Sequence, residues 1–486
     1  MRPSTPNTFR LWTLLLALFI SACQTSGTTD KPAAYPPPAL SHPALTPLFD
    51  DLEQRSFNFF WDTANPTNGL VPDRYPNPPF ASIAAVGFGL TAIPVGVERG
   101  YITRAQARDR VLATLRFFAQ APQGPGATGV SGYKGFFYHF LDMQTGARYA
   151  DTELSTVDTS LLLGGMLFAQ SYFDQADAGE AEIRSLVDLI YGRVDWQWAQ
   201  VRSPLVSMGW TPERGFIAYD WRGYDEGMIV YVLALGSPTH AVDPAAWTAW
   251  TATYADTYGS TQGQEHLGFA PLFGHQYSHV WIDFRGIQDA YMRDHALDYF
   301  ENSRRATLAQ RSYAIANVAQ WKDYGENVWG LTACDGPGDL LAPDYSGRQR
   351  SFYGYTARGA GLRNTRDDGT IAPTAAASSL PFAPEIVIPA VEEMNRRFGA
   401  TIYASYGFFD AFNTSFTATN MTLGGGQVVP GFGWVDTQYV GIDQGPIVAM
   451  IENYRSDLIW KTTRKNAALR RGLERAGFSG GWLSAN

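Results

Sequence analysis

The chain has 486 residues, of which 45% are hydrophobic and 14% aromatic, and its formal net charge at pH 7 is -9. This length and apolar content are sufficient for one large domain or for two or three smaller ones. The negative charge argues against nucleic acid as a partner, because binding phosphates requires a basic face.

The N-terminal segment has the organisation of a signal peptide. Arg2 and Arg10 precede an apolar run at 11–20, which is shorter than the roughly 20 residues that a membrane-spanning helix needs. The sequence ISAC that ends at Cys23 resembles a bacterial lipobox, which implies cleavage before Cys23 and its lipidation. Gln24, in place of Asp, implies sorting to the outer membrane. We therefore expect an exported lipoprotein on the periplasmic side of the envelope, which contacts the membrane through its lipid only.

A segment rich in Pro, Thr, Ser and Ala follows the lipidation site. Its composition, with consecutive prolines at 36–38, cannot bury a core and is typical of a semi-extended tether. We assign residues 1–22 to the signal peptide, 23–45 to the tether and 46–486 to one catalytic domain.

Six segments of this domain carry apolar residues at helical spacing with charges on the opposite side. Thr46 and Pro47 begin the first, and Thr103 begins the second, as helix N-termini commonly do. The other four span 180–196, 243–258, 295–318 and 384–398.

Six further segments are rich in small residues and apolar nearly all round, which predicts buried helices. They begin near Ser82, Ser155, Tyr224, Ser278, Pro373 and Ile442. Alternation of six buried and six amphipathic helices predicts an all-α fold, an (α/α)6 barrel with the buried helices as its inner ring. An irregular helical domain, or two domains, is the alternative.

Acidic residues stand near the starts of three of the buried helices. Glu153 and Asp158 flank the start of the second, Asp225 and Glu226 open the third and Asp443 opens the sixth. A single acid there can be a helix cap or a first-turn residue. Several acids on one face of a barrel predict instead a cleft in which paired carboxylates cleave glycosidic bonds. Glu226 best fits the general acid, because an apolar helix follows it and burial favours a protonated carboxyl.

Sugar contacts are expected where aromatic rings stand beside Gly, Asp and Arg in loops, since such rings stack on the faces of sugars. The expected contacts are Trp210, Trp221, Tyr224, His279, Trp281, Arg285 and Asp443. For the segment that contains Arg285, an internal ion pair with Asp283 is the alternative.

Motifs for other chemistry are missing from the sequence. His275 and His279 are spaced i, i+4, but no HExxH accompanies them. The sequence also has no GxSxG of serine hydrolases, no P-loop and no dinucleotide fingerprint. We expect no metal and no other cofactor.

Four separated motifs resemble the glucoamylase-like domain of the bacterial endo-β-1,2-glucanases, glycoside hydrolase family 144. They are ELSTVDTSLLL at 153–163, YDEGMIVYVLALGSPTH at 224–240, YGFFDAFN at 406–413 and IDQGPIVAMIENYR at 442–455. The resemblance extends from about Thr46 to Phe478. It implies an (α/α)6 fold and hydrolysis of β-1,2-glucan with inversion. By the matched motifs, it implies Glu226 as general acid, and it leaves Asp410, Glu153 and Asp158 open as the base.

Two other functions remain open at this stage. The chain could act as an exo-hydrolase that releases glucose or sophorose, with the segment Thr332–Asp368 blocking one end of the cleft. It could also be a surface lipoprotein that binds glycans without catalysis. In each case the partner is a glucan, and we expect a monomer.

Overall fold

The computed structural model describes residues 42–77 and 80–484. The expected signal peptide, the lipidation site Cys23 and nearly all of the tether lie outside the described residues. Among the residues described, no helix is long and apolar enough to cross a membrane. All of them belong to one compact unit.

Helices dominate the described part of the chain. The longer ones are α1 Pro47–Thr63, α2 Ile83–Glu98, α3 Arg104–Gln120, α4 Thr156–Tyr172, α5 Ala178–Gly192, α6 Met228–Gly236, α11 Tyr299–Ala316, α13 Pro384–Ile402, α14 Gly441–Ser456 and α16 Ala467–Arg475. The shorter ones are α7 Ala245–Thr251, α8 Tyr254–Thr257, α9 Tyr277–Trp281, α10 Ala290–Asp294, α12 Pro373–Ala377 and α15 Leu458–Thr463.

Short strands occupy the connections between helices, so the all-α prediction is corrected to a helix-rich fold. Most strands pair as antiparallel two-stranded ladders, because the connections fold back on themselves at turns. Their bounds are β1 Arg74–Tyr75, β2 Phe80–Ser82, β3 Gly132–Tyr133, β4 Phe136–Phe137, β5 Phe140–Asp142, β6 Leu154–Ser155, β7 Gly209–Thr211, β8 Gly215–Phe216, β9 Tyr258–Thr261, β10 Gln264–Leu267, β11 Ala333–Cys334, β12 Leu340–Pro343, β13 Gln349–Phe352, β14 Thr356–Ala357, β15 Gly359–Ala360, β16 Thr365–Arg366, β17 Tyr403–Ala404, β18 Gly407–Phe408, β19 Phe412–Asn413, β20 Gln427–Val429, β21 Gly433–Val435 and β22 Tyr439–Val440.

All six predicted buried helices are present as α2, α4, α6, α9, α12 and α14, and their residues are almost entirely buried. Ser82 and Ser155 cap α2 and α4 by accepting hydrogen bonds from the third residue beyond them. The fourth and fifth of these helices are short, only five residues each.

The predicted amphipathic segments correspond to α1, α3, α5, α11 and α13, with one exception. The segment at 243–258 is broken into α7 and α8 and passes into strand β9. This stretch contains Thr248, Thr251, Thr253 and Thr257. Threonine is a poor helix former, which accounts for the interruption.

The buried helices α2 and α4 lie so close that their backbones touch. A Cβ atom on Gly87 of α2 would lie 2.3 Å from the carbonyl oxygen of Leu161, and one on Gly165 of α4 would lie 2.0 Å from that of Gly87. Helix α2 also packs on α14, and α4 packs on α6. The amphipathic helices α1, α3 and α5 pack against these buried helices from outside. The N-terminal ends of α4 and α6 border the candidate site.

Candidate active site

A cavity of about 360 Å³ contains three of the predicted acids, Glu153, Asp158 and Glu226. They come from the connections and first turns that precede α4 and α6. The cavity is also lined by His139 and by aromatic side chains, which are Trp221, Phe273, Tyr277 and Tyr355. Carboxyl groups beside aromatic rings suit a carbohydrate better than a charged or purely apolar ligand.

Glu226 is held at the turn before α6. The carboxylate of Asp225 accepts a hydrogen bond from the backbone N–H of Gly227 at 2.8 Å, which fixes this turn. Burial, together with the charge of Asp158, raises the pKa of Glu226 to about 7. Its Oε2 atom is buried and has no hydrogen-bond partner among the described residues. Glu226 is therefore protonated for much of the time at neutral pH, as a general acid must be.

Asp158 is both a helix-capping residue and a cavity residue. Its backbone N–H donates to Ser155 Oγ at 3.2 Å, and Ser155 Oγ donates back to its carboxylate at 2.5 Å. The first-turn role considered from the sequence is therefore real, and it coexists with a position in the cavity wall. Burial raises the pKa of Asp158.

His139 lies between the two other cavity acids and was not predicted. Its Nδ1 is 2.9 Å from Glu153 Oε1, and its Nε2 is 3.6 Å from Asp158 Oδ1. Burial disfavours the imidazolium, but Asp158 and Glu153 outweigh this and raise the pKa of His139 to about 9. Burial likewise opposes ionisation of Glu153, yet the hydrogen bond with His139 leaves the pKa of Glu153 below its ordinary value.

Asp410 lies in a second group of acids, with Asp335 and Asp436. Oxygens of these three carboxylates lie within 4.8 Å of one another, and a divalent cation could bind there. Arg74 contacts Asp335 at 2.6 Å and supplies positive charge. Burial and the charges of Asp410 and Asp335 raise the pKa of Asp436 to about 8. A proton held by Asp436 therefore also reduces the repulsion among the three carboxylates.

Asp443, at the start of α14, joins this second group. Its side chain is 4% exposed, and burial followed by the charge of Asp410 raises its pKa well above the ordinary value. The preceding residue, Ile442, lines the cavity and accepts a hydrogen bond from Tyr277 at 3.3 Å through its carbonyl. Thus α14 connects the two acidic groups.

Asp410 resembles Asp436 in its hydrogen bonding, since each carboxylate has one oxygen bonded to the backbone and one buried oxygen without a partner among the described residues. Oδ2 of Asp410 accepts from the backbone N–H of Asp335 at 2.7 Å. Its Oδ1 is buried and has no partner among the residues that the structure describes. The backbone thus fixes one oxygen of Asp410, and the carboxylate lies beside the Asp443 carboxyl.

The three predicted loop aromatics have different positions. Trp221 lines the cavity, and its indole N–H donates to Thr156 at 2.9 Å. Tyr224 borders a separate cavity of about 270 Å³, and its hydroxyl is 3.1 Å from His275. Trp210 is half-buried in β7 against Tyr133. Of the three, only Trp221 is among the described residues that line the cavity with Glu226.

The expected sugar contacts at His279, Trp281 and Arg285 are corrected by the structure. Trp281 is fully buried, and its indole N–H donates to a threonine of α2. His279 is 1% exposed, and burial lowers its pKa to about 3. Arg285 pairs with Asp283 at 2.8 Å, which is the internal ion pair considered as the alternative. These side chains stabilise the packing around α9 and do not line the cavity.

Sequence reasoning missed His139, Tyr277 and Tyr355. His139 reaches Glu153 because its backbone N–H donates to the Glu153 carbonyl at 2.9 Å, a long-range pairing with no local sequence signal. Tyr277 stands one residue before the predicted start of the fourth buried helix. The position of that helix could therefore have indicated Tyr277 as a candidate.

Comparison with known proteins shows which proteins the chain is similar to. A family model described as "Putative glucoamylase" matches residues 218–467. A crystal structure from Bacteroides uniformis, described in the same words, is 32% identical and covers 90% of this chain and 98% of its own, with a TM-score of 0.77. The endo-β-1,2-glucanase of Chitinophaga pinensis, solved with sophorotriose and glucose, is 29% identical and covers 90% of this chain and 100% of its own, with a TM-score of 0.75.

A curated relative from Parabacteroides distasonis is an exo-β-1,2-glucooligosaccharide sophorohydrolase that acts at the non-reducing end. It is 29% identical over 460 residues, which are 88% of this chain. The chain spans 57% of the length of that relative. The family model covers half of the chain, and the Bacteroides and Chitinophaga structures cover nine tenths of it. The chain belongs to the glucoamylase-like family, glycoside hydrolase family 144.

Proposed function

We propose that the chain hydrolyses β-1,2-linked glucan with inversion, using Glu226 as the general acid. The observation that carries this proposal is the buried carboxyl of Glu226, whose pKa is raised to about 7, in a cavity with aromatic walls. Glu226 donates its proton to the glycosidic oxygen as the bond between that oxygen and the anomeric carbon breaks. A water molecule forms the new bond to the anomeric carbon and gives its proton to the base.

Asp410 is the base in this proposal. A base needs a carboxylate oxygen with a free lone pair, and Oδ1 of Asp410 has no hydrogen-bond partner among the described residues. Asp436 has a similar oxygen, but its pKa is raised to about 8, which makes it a poorer base at neutral pH. The carboxylates of Glu153 and Asp158 already contact His139, and Asp158 also accepts from Ser155. These two acids, with Trp221, Tyr277 and Asp443, are assigned to binding sugar hydroxyls and rings.

The experiment that tests the acid is Glu226→Gln. Because glutamine cannot donate the proton, we expect a loss of about 10²–10⁴-fold in reducing ends released from linear β-1,2-glucan. In the wild type, kcat/KM should fall as pH rises through about 7, where Glu226 loses its proton. Glu182→Gln is the matched control, since Glu182 is exposed on α5 and pairs with Arg116 at 2.6 Å. Wild-type rates in Glu226→Gln would contradict the assignment.

We also propose that the helices form an (α/α)6 barrel. Neighbouring buried helices in chain order pack together at α2–α4, α4–α6 and α12–α14, and α14 packs back on α2. The contacts of α1 and α3 with α2, of α5 with α4 and of α13 with α12 support an outer ring. In such a barrel the connections before the inner helices form one mouth, where the acids lie.

We propose further that the enzyme is an outer-membrane lipoprotein facing the periplasm, on the sequence evidence at Cys23. In a Gram-negative host, Cys23→Ala should move the protein from the membrane fraction to the soluble periplasmic fraction with its glucanase activity retained. Cys334→Ala is the matched control, because Cys334 is buried in the domain and should leave the protein in the membrane fraction. Membrane retention of Cys23→Ala would contradict the lipid anchor.

A further inference from the structure

His139 connects two carboxylates that belong to different parts of the cavity wall. We infer that His139 is a positioning residue, whose imidazolium holds Glu153 and Asp158 ionised together and thereby maintains the negative charge beside Glu226. The inference rests on the proposed function, because it assigns these charges to the glucan-binding cavity.

The geometry of His139 fits a bridge. Both ring nitrogens face carboxylate oxygens, at 2.9 Å for Glu153 and 3.6 Å for Asp158. The first contact is a hydrogen bond and the second is an ion pair, and the ring serves both acids only when both of its nitrogens carry protons. The ring also stacks on Phe140, with 3.9 Å between centroids. Its plane is therefore fixed by an aromatic neighbour and its edges by two acids.

The backbone holds this ring in place from two elements. The N–H of His139 donates to the carbonyl of Glu153, and its own carbonyl accepts from Ile83 at the start of α2 at 3.2 Å. The far oxygens of the acids also have partners. Thr152 donates to Glu153 Oε2 at 3.4 Å, and Ser155 donates to Asp158 Oδ2. Each carboxylate thus presents one oxygen to the imidazolium and the other to a hydroxyl.

The charges around His139 favour the cation. Asp158, Glu153 and Asp73 all raise its pKa. Asp73 in turn pairs with Arg74 at 3.1 Å. The charge of Asp158 also acts on Glu226, because it raises the pKa of Glu226. Without His139, Glu153 and Asp158 would face each other as like charges, and the repulsion would raise the pKa of at least one of them.

His139→Gln should therefore narrow the pH profile of kcat/KM from both sides. The acidic limb should move up by about one to three pH units, because the two carboxylates lose their cationic partner. The basic limb should move down, because a neutral Asp158 no longer raises the pKa of Glu226. A purely structural role for His139 would lower activity without moving either limb.

Two variants complete this test. His139→Lys restores a positive charge and should return both limbs toward their wild-type positions. His240→Gln is the matched control, since His240 lies in an exposed connection after α6 and its Nδ1 contacts only the neighbouring Thr239 among side chains described. A His139→Gln profile that superimposes on the wild type would overturn the inference.

A direct titration separates this inference from the proposed function. In wild-type protein labelled with ¹³C-histidine, the resonance that is lost in His139→Gln should titrate near pH 9, above the ordinary value of about 6.5. A midpoint at or below 6.5 would overturn the bridge even if β-1,2-glucan is hydrolysed. A midpoint near 9 in a protein that cleaves no glucan would support the bridge and contradict the proposed function.

Discussion

Two carboxyl groups within one cavity, those of Glu226 and Glu153, have pKa values shifted in opposite directions because their immediate surroundings differ. Glu226 is buried, and no cation of the described residues pairs with it, so its pKa rises to about 7. Glu153 is also partly buried, but His139 keeps its pKa below the ordinary value. Such a separation of carboxyl pKa values is the usual basis for dividing acid and charge-stabilising roles in a glycosidase.

The acids at this site could be predicted from the sequence, and their cationic partner could not. Glu153, Asp158 and Glu226 each stand at the start of an apolar helical segment, and starts of parallel helices meet at one end of a fold. His139 reaches the same place through a backbone pairing with Glu153 across 14 positions, which helical periodicity does not encode.

His279, Trp281 and Arg285 show the opposite error. Aromatic and charged residues in alternation are typical of sugar-binding loops, but here they lie on or just after the short helix α9. Helix α9 packs on α14 and α15, which removes these side chains from the cavity. Burial of a short segment depends on these neighbours, so the local pattern could not distinguish a binding loop from a packed core.

At the scale of elements, the buried helices were predictable in position but not in length. The two that begin with a serine N-cap, α2 and α4, extend for 16 and 17 residues. In contrast, α9 and α12 have only five residues each. A segment that is apolar all round has no helical periodicity, so its end cannot be read from the pattern.

The close contact of α2 and α4 gives a prediction about stability. In Gly165→Ala, the added Cβ would meet the carbonyl oxygen of Gly87 at 2.0 Å, so the helices must separate. We expect the free energy of unfolding, measured by urea denaturation, to fall by about 1–3 kcal/mol. Gly192→Ala is the matched control, because among the described residues its Cβ would meet only Thr239, at 3.9 Å. Equal stability of Gly165→Ala and the wild type would contradict the contact.

At the scale of the whole molecule, the helices form the core, and the connections between them carry the polar residues of the candidate site. The core is formed by side chains of the buried helices, whereas His139, Glu153 and Glu226 lie in connections or short strands before those helices. The expectation of a helical frame was accurate, because apolar periodicity is a strong signal in long segments. The strands escaped prediction because ladders of two to four residues leave too short a pattern.

The placement of the segment Thr332–Asp368 bears on endo or exo action. This segment forms strands β11–β16, including the hairpin of β12 and β13. Among the described residues that line the cavity, the segment contributes Ala333 and Tyr355, and none comes from the hairpin. Tyr355 is 56% exposed, so it borders the cavity and does not seal it. This arrangement favours a cleft that a glucan chain can cross.

We therefore expect endo action, which cyclic β-1,2-glucan tests directly because it has no chain ends. The enzyme should open the ring and then release oligosaccharides of several lengths, seen by thin-layer chromatography of timed digests. Tyr355→Ala should raise KM for the polymer, since it removes an aromatic face from the cavity edge. Tyr219→Ala is the control and should leave KM unchanged, because Tyr219 is exposed and does not line the cavity. Release of sophorose alone from linear glucan, with the cyclic substrate intact, would show that the segment closes one end of the cleft and that the enzyme is an exo-hydrolase.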